Sequence, residues 1–282
     1  NLPATLGADA PYENMGTIQT KGWELAIDYR HTFKNGLHFG VTASVADDKT
    51  EVTKWTYNTK IPSYGATGWW DKSAYKEGMV LGDIWGLQFD RFLTEDDFNA
   101  DGSLKAGLPD QTKVFPAGYQ FAPGDVLYKD LDNNGEIVKQ TNTNEKGDLS
   151  VIGNALPRLQ FGLNLDAAWK GFDISMFFQG VAKRKLWAAG NQVLPGFTTG
   201  EPFYKGAEDY WTPENTDAFY PRPMDYKQSA SGNYSVNDRY LLNMAYLRLK
   251  TFTVGYSLPK VWLSKFKVQG LRVYFTGENL FT

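Results

Sequence analysis

A hairpin with unusually long strands constrains this chain more than any other feature of its sequence. Apolar and polar side chains alternate over residues 159–169, and again over 172–179 after the short turn Trp169-Lys170-Gly171. This period of two predicts strands that have one apolar and one polar face. Long strands, a short turn and apolar residues on the outward face are the pattern of a membrane β-barrel. An immunoglobulin-like sandwich shows the same alternation, but with shorter strands and more regularly spaced turns.

A second hairpin is predicted near the start of the chain. Its strands cover residues 16–33 and 37–53, on either side of Lys34-Asn35-Gly36. Asn-Gly supplies the positive φ angles that a tight hairpin turn requires. Both strands are far longer than the roughly five or six residues of an ordinary globular strand. A tilted membrane strand uses about nine to eleven residues inside the bilayer and can extend beyond it.

The closing strands are predicted at 243–258 and 269–281. In the first of them the apolar side chains change from one parity to the other near Lys250. Most positions are β-branched or aromatic, which favours a strand. Pro259 ends it, because proline has no amide hydrogen for the strand ladder.

Two long loops are predicted between the strands, at about 54–155 and 184–238, where Gly, Pro, Asp and Asn interrupt the alternation. The first contains the apolar run 78–93. If the two short turns lie on one rim of a barrel, the chain between them crosses the membrane an even number of times. The run therefore belongs either to a loop or to one of two further strands in the wall.

Composition excludes several functional classes. Aromatic residues make up 15% of the chain, more than an ordinary soluble core needs but typical of aromatic girdles and sugar-binding surfaces. The net charge of −3 and the absence of a basic run argue against nucleic acid as a partner. Mean hydropathy is −0.44, and no run of apolar residues is long enough for a membrane helix. Without cysteine, the chain has neither disulfides nor thiol chemistry.

Four blocks of sequence, in the same order, resemble one family. They are GTIQTKGWELAIDY at Gly16–Tyr29, PGDVLYKDLDNNGEI and then IGNALPRLQFGLNL within 123–165, and RYLLNMAYLRLKTFTVGYSLPK followed by LRVYFTGENLFT within 239–282. Together these blocks are similar to the C-terminal barrel of the SusC/RagA family, the TonB-dependent outer-membrane transporters of Bacteroidetes.

The resemblance implies an all-β fold: residues 1–282 would be the C-terminal portion of one transmembrane antiparallel β-barrel of about 22 strands. The plug domain would be absent from this chain. It further implies import of oligosaccharides, less often peptides, across a Gram-negative outer membrane. The barrel would contact lipid, a SusD-like surface lipoprotein would form a lid, and the TonB complex would act through a missing N-terminal region.

A calcium site is predicted in the segment Asp130-Leu131-Asp132-Asn133-Asn134-Gly135-Glu136-Ile137. Oxygen ligands at positions one, three and five and glycine at six match the first half of a calcium-binding loop. Position twelve is Thr141 rather than glutamate, so a later carboxylate, Glu145 or Asp148, is needed, which the resemblance allows. The predicted ligands are Asp130, Asp132, Asn134, Glu136 and Asp148. The alternative is an Asx-rich turn that holds no metal.

Aromatic residues in the long loops are the predicted substrate contacts, because their rings can stack on the apolar faces of sugars. The candidates are Trp69, Trp70, Trp187, Tyr204, Tyr210 and Trp211. The alternative is that they hold the loops together or lie in the interfacial belt of the membrane.

Catalysis is not expected. His31 and His38 flank the first turn and could face each other across it, but two histidines without a third ligand make a weak metal site. A glycosidase needs two carboxylates, and the adjacent pair Asp96 and Asp97 is interpreted as a solvated turn. The alternative function is a secreted, calcium-stabilised all-β domain that binds or degrades carbohydrate, which detergent dependence would distinguish from a barrel.

Overall fold

A computed structural model describes residues 16–56, 75–141, 145–197, 203–224 and 232–282. Among these residues no helix has the length and apolar character needed to cross a membrane. Within the described part of the chain, the longest helical element is one turn, Lys260–Leu263. The strands in the described residues are β1 (Gly16–Thr32), β2 (His38–Trp55), β3 (Asp83–Gly86), β4 (Phe89–Phe92), β5 (Val126–Tyr128), β6 (Ser150–Asn154), β7 (Arg158–Trp169), β8 (Phe172–Lys183), β9 (Lys185–Leu186), β10 (Leu242–Asn243), β11 (Tyr246–Ser257) and β12 (Arg272–Phe281).

Six long strands form one sheet in the order β1-β2-β7-β8-β11-β12. The register of β7 with β8 runs from Arg158 opposite Lys183 to Trp169 opposite Phe172, and the two strands are antiparallel. Strands β2 and β7, β8 and β11, and β11 and β12 are also antiparallel pairs. Both predicted long hairpins and the pair of closing strands are therefore confirmed.

The two faces of this sheet differ in chemistry as the alternation predicted. On one face of β1, Trp23, Ile27 and Tyr29 remain more than half exposed. On the other face, the Thr42 hydroxyl donates to Asp28 Oδ2 over 2.6 Å. On this polar face the guanidinium of Arg272 also binds both carboxylate oxygens of Asp173, at 3.0 and 2.5 Å.

A β-bulge at Lys250 explains why the apolar residues of β11 change parity. Leu249 lies opposite Phe178 of β8, while Thr251 lies opposite the very next residue, Phe177. Lys250 is thus an extra residue with no counterpart in the partner strand. Because a bulge inserts one residue, the side chains beyond it point to the opposite face from those expected for a regular strand.

The chain divides into two compact units. The loop unit consists of the described residues within 1–20, 50–152 and 189–239, and the strand unit consists of 21–49, 153–188 and 240–282. The apolar run 78–93 contributes β3 and β4, which pair with β6 and β5 in two-stranded sheets. It adds no strand to the six-stranded sheet, which decides between the two predicted alternatives.

The loop unit has an apolar core of its own, which the prediction of two long loops did not include. The Trp211 ring contributes to this core and packs closely against Gly124, where a Cβ would lie 2.5 Å from the ring. Gly124 also has a φ of 90°, a backbone conformation that strongly favours glycine. Both the close contact with Trp211 and the backbone conformation therefore exclude a side chain at this position. The buried core residues are Leu87, Phe92, Val114, Phe115, Val126, Tyr128, Ile137, Trp211 and Ala218.

Deleting Lys250 should leave the sheet folded, because Leu249 and Thr251 already lie opposite consecutive residues of β8 and keep their faces when the extra residue is removed. Deleting Thr253, which is paired with Ser175, should instead move the side chains on one side of the gap to the wrong face of the sheet. We expect the fraction of the full-length protein that resists trypsin to fall several-fold for the Thr253 deletion and to change little for the Lys250 deletion. Equal losses of resistance in the two deletions would show that Lys250 is not an extra residue of the strand.

Candidate functional site

A cavity of about 430 Å³ lies within the loop unit, and aromatic rings and prolines form most of its wall. We call it the aromatic cleft. Three of its rings are accessible: Phe203 is 58% exposed, Tyr204 45% and Tyr210 40%. Lys205 and Glu208 add charged groups to the same wall. The full lining is Pro195, Phe203, Tyr204, Lys205, Ala207, Glu208, Tyr210, Tyr220, Pro221, Pro223 and Tyr234.

Two short backbone segments, at 209–211 and 220–222, hold one side of the cleft in place. Tyr210 and Tyr220 form a parallel bridge. The Trp211 amide donates to the Tyr220 carbonyl over 3.0 Å, and the Tyr220 amide donates to the Asp209 carbonyl over the same distance. Because the backbone fixes both tyrosines, their rings need little reordering before a ligand binds.

The buried carboxylate of Asp125 anchors this wall to the rest of the loop unit. Arg222, which stands between two prolines of the cleft, donates to Asp125 Oδ1 from Nε over 2.8 Å. The same oxygen accepts hydrogen bonds from the Tyr119 hydroxyl at 2.8 Å and from Asn233 Nδ2 at 3.0 Å. The Ala122 amide binds the other oxygen at 2.9 Å. Burial, followed by the charge of Asp125, raises the pKa of Tyr119, so its hydroxyl stays protonated and donates.

The structure brings together only part of the predicted set of loop aromatics. Tyr204 and Tyr210 both line the aromatic cleft. Trp187 and Trp211 do not fit the prediction, since they are 2% and 6% exposed and pack in the interior, where a sugar ring does not reach them. Trp69 and Trp70 lie outside the described residues.

Sequence reasoning missed several residues of the cleft, including Phe203, Tyr220 and Tyr234. A signal for them is present in the sequence. Prolines at 195, 202, 213, 221 and 223 alternate with aromatic residues through this region, and such a combination forms rigid, ring-lined surfaces.

A carboxylate cluster forms where the calcium site was predicted. Asp130, Asp132 and Asp148 each place one oxygen within 4.8 Å of the others. That spacing suits calcium, whose oxygen ligands lie about 2.3–2.6 Å from the ion. Positive φ angles of 55° at Asn133 and 85° at Gly135 fold the loop so that the first two carboxylates converge. Asp148 is thus the later carboxylate that the loop lacked.

The three carboxylates of this cluster differ in their surroundings. Asp148 is fully buried and accepts the amides of Leu131 and Val138, each over 2.7 Å. Burial raises the pKa of Asp148, and the charges of Asp132 and Asp130 raise it further. A hydrogen bond from the Gly135 amide lowers the pKa of Asp130. Asp132 Oδ2 is buried and has no hydrogen-bond partner among the described residues.

The other predicted calcium ligands bind elsewhere. The side-chain carboxylate of Glu136 forms an ion pair with Lys113 rather than joining the cluster. Asn134 Oδ1 accepts the Glu136 amide over 2.8 Å. Glu145, the alternative later carboxylate, accepts the amide and the hydroxyl of Thr141 at 3.0 and 3.2 Å.

Comparison with known proteins shows what the chain is similar to. No family model matches it. Two curated relatives, TonB-dependent receptor P3 and TonB-dependent receptor P26 of Formosa agariphila, are each 26% identical to it. The matches cover 100% and 99% of this chain and 26% of each relative, so the chain spans about a quarter of their length.

Solved structures show the same fold. The RagAB peptide transporter matches with a TM-score of 0.63, at 18% identity over 99% of this chain and 27% of that chain. The RagAB peptide importer matches with TM-scores of 0.64 in its closed-closed state and 0.62 in its open-open state, at the same identity and coverage. The chain is similar to one segment of these TonB-dependent receptors. The resemblance to the SusC/RagA family is confirmed.

The chain therefore lies in the outer membrane, and its six-stranded sheet is part of a transmembrane antiparallel β-barrel. In such a barrel the apolar face of each strand contacts lipid and the polar face contacts the lumen. The rings of Tyr29, His31 and Phe33 belong to one of these faces. His31 packs edge-on against Phe33 with 4.6 Å between ring centroids, and it lies near Tyr29 at 6.4 Å.

The two histidines of the chain do not face each other. His38 is close to the Thr32 hydroxyl at 3.2 Å and to Asp166 at 3.5 Å. Because an odd number of positions separates the two residues across the turn, their side chains point to opposite faces of the hairpin. His31 therefore contacts aromatic rings instead. The expectation that they could meet across the hairpin is wrong.

The carboxylate pair at 96–97 plays a structural part in the chain. Asp97 is buried rather than solvated, which corrects the expectation for this turn. Hydrogen bonds from Arg91 lower the pKa of Asp97 to about 2, and the Thr94 amide donates to it over 2.7 Å. A glycosidase acid needs a raised pKa. The relatives are receptors and not enzymes, in line with the expectation that the chain is not an enzyme.

Replacing Asp125 with alanine should loosen the wall of the aromatic cleft, because it leaves the half-buried guanidinium of Arg222 and the buried amide of Asn233 without their acceptor. Removing one partner of a fully buried ion pair costs about 3–5 kcal/mol, and the partial exposure of Arg222 makes the cost here smaller. We expect amide hydrogen exchange in residues 119–128 and 220–224 of the full-length receptor to accelerate strongly. Asp101→Ala, which removes an exposed carboxylate, serves as control. Unchanged exchange in the Asp125 variant would contradict the anchoring role.

Proposed function

We propose that this chain contributes the ligand-contacting part of an outer-membrane importer of oligosaccharides, energised through TonB. The aromatic cleft is the observation that supports this proposal. Its volume of about 430 Å³ falls within the range of about 300–1,000 Å³ that is common for small-molecule sites. The TonB complex would act through a region outside these residues.

Sugar recognition suits the composition of the cleft. The exposed rings of Phe203, Tyr204 and Tyr210 offer flat apolar surfaces to the faces of pyranose rings. Lys205 and Glu208 offer hydrogen-bond partners to the hydroxyl groups. Because the backbone holds Tyr210 and the anchored Arg222 in place, the ligand meets a preformed surface.

Peptides are the second candidate ligand. The solved neighbours are described as a peptide transporter and a peptide importer. At 18% identity, the similarity to these structures supports a shared fold but not a shared ligand. An extended peptide would place aromatic or apolar side chains where the sugar rings are proposed to lie.

A lid is the proposed partner of the loop unit. We propose that a SusD-like surface lipoprotein covers it and closes over the bound ligand. The exposed rings of Phe203, Tyr204 and Phe219 support this, because solvent-accessible aromatic residues are enriched at protein interfaces.

Removing the accessible tyrosines should weaken oligosaccharide binding. We expect Tyr204→Ala and Tyr210→Ala each to lower the affinity of the full-length receptor about three- to tenfold, the worth of one ring contact. Isothermal titration with defined oligosaccharides and with peptides of similar size measures this. Val151→Ala is the control, because Val151 is an exposed apolar residue of the loop unit that does not line the cleft.

The outcomes of this titration separate the ligand classes. Peptide binding that depends on both tyrosines, with no oligosaccharide binding, would replace the proposed ligand by a peptide. Oligosaccharide binding that neither substitution changes would place the ligand outside the aromatic cleft.

We also propose that Asp130, Asp132 and Asp148 bind calcium and thereby stabilise the loop unit. Their converging oxygens and the orphaned Asp132 Oδ2 support the proposal. Three carboxylates at this spacing repel one another, and a divalent cation would offset the repulsion. The ion would play a structural part only. A secreted calcium-binding domain is not the favoured alternative, because the six-stranded sheet belongs to an outer-membrane β-barrel.

Calcium should stabilise the chelator-stripped receptor and raise its melting temperature. At a calcium concentration a hundredfold above the Kd, the free energy of unfolding should increase by about 2.7 kcal/mol. Asp132→Asn should abolish most of this gain, whereas Asp101→Asn should not change it. Differential scanning calorimetry with and without calcium measures both. No heat of binding and no shift in the wild type would contradict the site.

The stabilisation by calcium should also depend on pH, in a direction that follows from the pKa of Asp148. Burial raises the folded-state pKa of Asp148, so the metal-free fold is favoured below this pKa and loses that contribution as pH rises through it. Calcium needs the ionised carboxylate. The calcium-induced stabilisation should therefore be largest near neutral pH and vanish as pH falls through the raised pKa of Asp148.

A further inference from the structure

The short connections between the long strands of the strand unit lie together at one end of the sheet. The Trp169 indole donates from Nε1 to the Asn35 carbonyl over 3.3 Å, which joins the first turn to the second. The Ser257 amide donates to the Gly171 carbonyl over 2.7 Å, which joins the second turn to the third connection. We call residues 33–37, 169–171 and 258–271 the short-turn rim.

The short-turn rim is strongly basic although the chain as a whole carries a net charge of −3. The three stretches contain no aspartate or glutamate, and their lysines are Lys34, Lys170, Lys260, Lys265 and Lys267. The acid that adjoins the rim, Asp173, is already bound by Arg272 through two hydrogen bonds of 3.0 and 2.5 Å. Within the three stretches no carboxylate is present to pair with the lysines, so they can interact with an external anion.

An apolar groove of about 150 Å³ opens beside these lysines. Most of its lining side chains have the parity of the lipid-facing side of the sheet: Leu37, Ala167, Trp169, Phe172, Ile174 and Val254. Small alanine between larger rings leaves the depression. Trp169 is 44% exposed and Phe172 58%, and the ammonium of Lys170 lies 4.4 Å from the centre of the Trp169 ring.

The helical turn Lys260–Leu263 adds a membrane-interface element to the same rim. Val261 is 76% exposed and Trp262 59%, while Leu263 is buried. Tryptophan favours the boundary between hydrocarbon and headgroups. Lysine near that boundary interacts with phosphate groups.

We propose that the short-turn rim binds an anionic phospholipid. Its acyl chain would occupy the groove between Ala167 and Phe172, and its phosphate would lie between Lys34 and Lys170. The combination of an apolar slot on the lipid-facing side with an unopposed cationic edge matches the two ends of such a lipid. A soluble anion would use the lysines but not the groove.

Native mass spectrometry of the full-length receptor, delipidated in detergent, tests the proposal. The probes are phosphatidylglycerol and phosphatidylcholine with identical acyl chains. We expect phosphatidylglycerol to bind more tightly, and Lys34→Gln and Lys170→Gln each to reduce that preference about fivefold, the effect of one lysine near an anionic surface. Lys185→Gln, in β9 beyond the other end of β8, is the matched control. Heat-dependent gel mobility confirms that each variant is folded.

A third substitution tests the groove separately. Ala167→Trp fills it and should weaken both lipids while the preference for phosphatidylglycerol remains. Equal binding of the two lipids by the wild type, or a preference that the lysine substitutions leave intact, would overturn the proposal. Displacement of the lipid by millimolar inorganic phosphate would show that the rim binds a phosphate ion and not a phospholipid.

Discussion

Backbone hydrogen bonding in hydrocarbon is the constraint on which the rest of this molecule depends. No water is present there to satisfy an unpaired amide or carbonyl, so strands cross a membrane only as part of a closed sheet. The described sheet has two outer strands, β1 and β12, each paired on one side only. In the membrane both must pair with further strands, and the long alternating runs of the sequence serve this closure. The polar face can then carry ion pairs such as Asp173 with Arg272, since it is turned away from lipid.

The long segments between these strands form a second compact structure, the loop unit. The loop unit contains its own apolar core and a buried carboxylate, Asp125, that joins residues far apart in the chain. Side-chain amides extend this network. Gln111 and Asn233 bind the backbone of β5 along the edge that does not pair with β4. Gln111 donates from Nε2 to the Val126 carbonyl over 2.8 Å, and Asn233 Oδ1 accepts the Val126 amide over the same distance. The aromatic cleft thus belongs to a packed, hydrogen-bonded unit that has its own apolar core.

Local periodicity predicted the strands well, because alternation is a direct consequence of one apolar and one polar face. Even the bulge at Lys250 was visible, since the apolar residues changed parity there. The loop unit was less predictable, because its core unites residues as distant as Leu87 and Trp211 and has no period. For the same reason the sequence could not tell that Trp211 is buried while its neighbour Tyr210 is exposed. The carboxylate cluster lies between these cases: the loop at 130–137 was recognisable, but only the fold selects Asp148 over Glu145.

Gel mobility of the full-length receptor, extracted from isolated outer membranes, tests the central claim most directly. A closed barrel keeps its backbone pairing in detergent, so the unheated protein should migrate at a different position from the boiled protein. Recovery in the outer-membrane fraction together with this heat-dependent shift is the result that the account predicts. A product that stays soluble without detergent and migrates identically before and after boiling would contradict it.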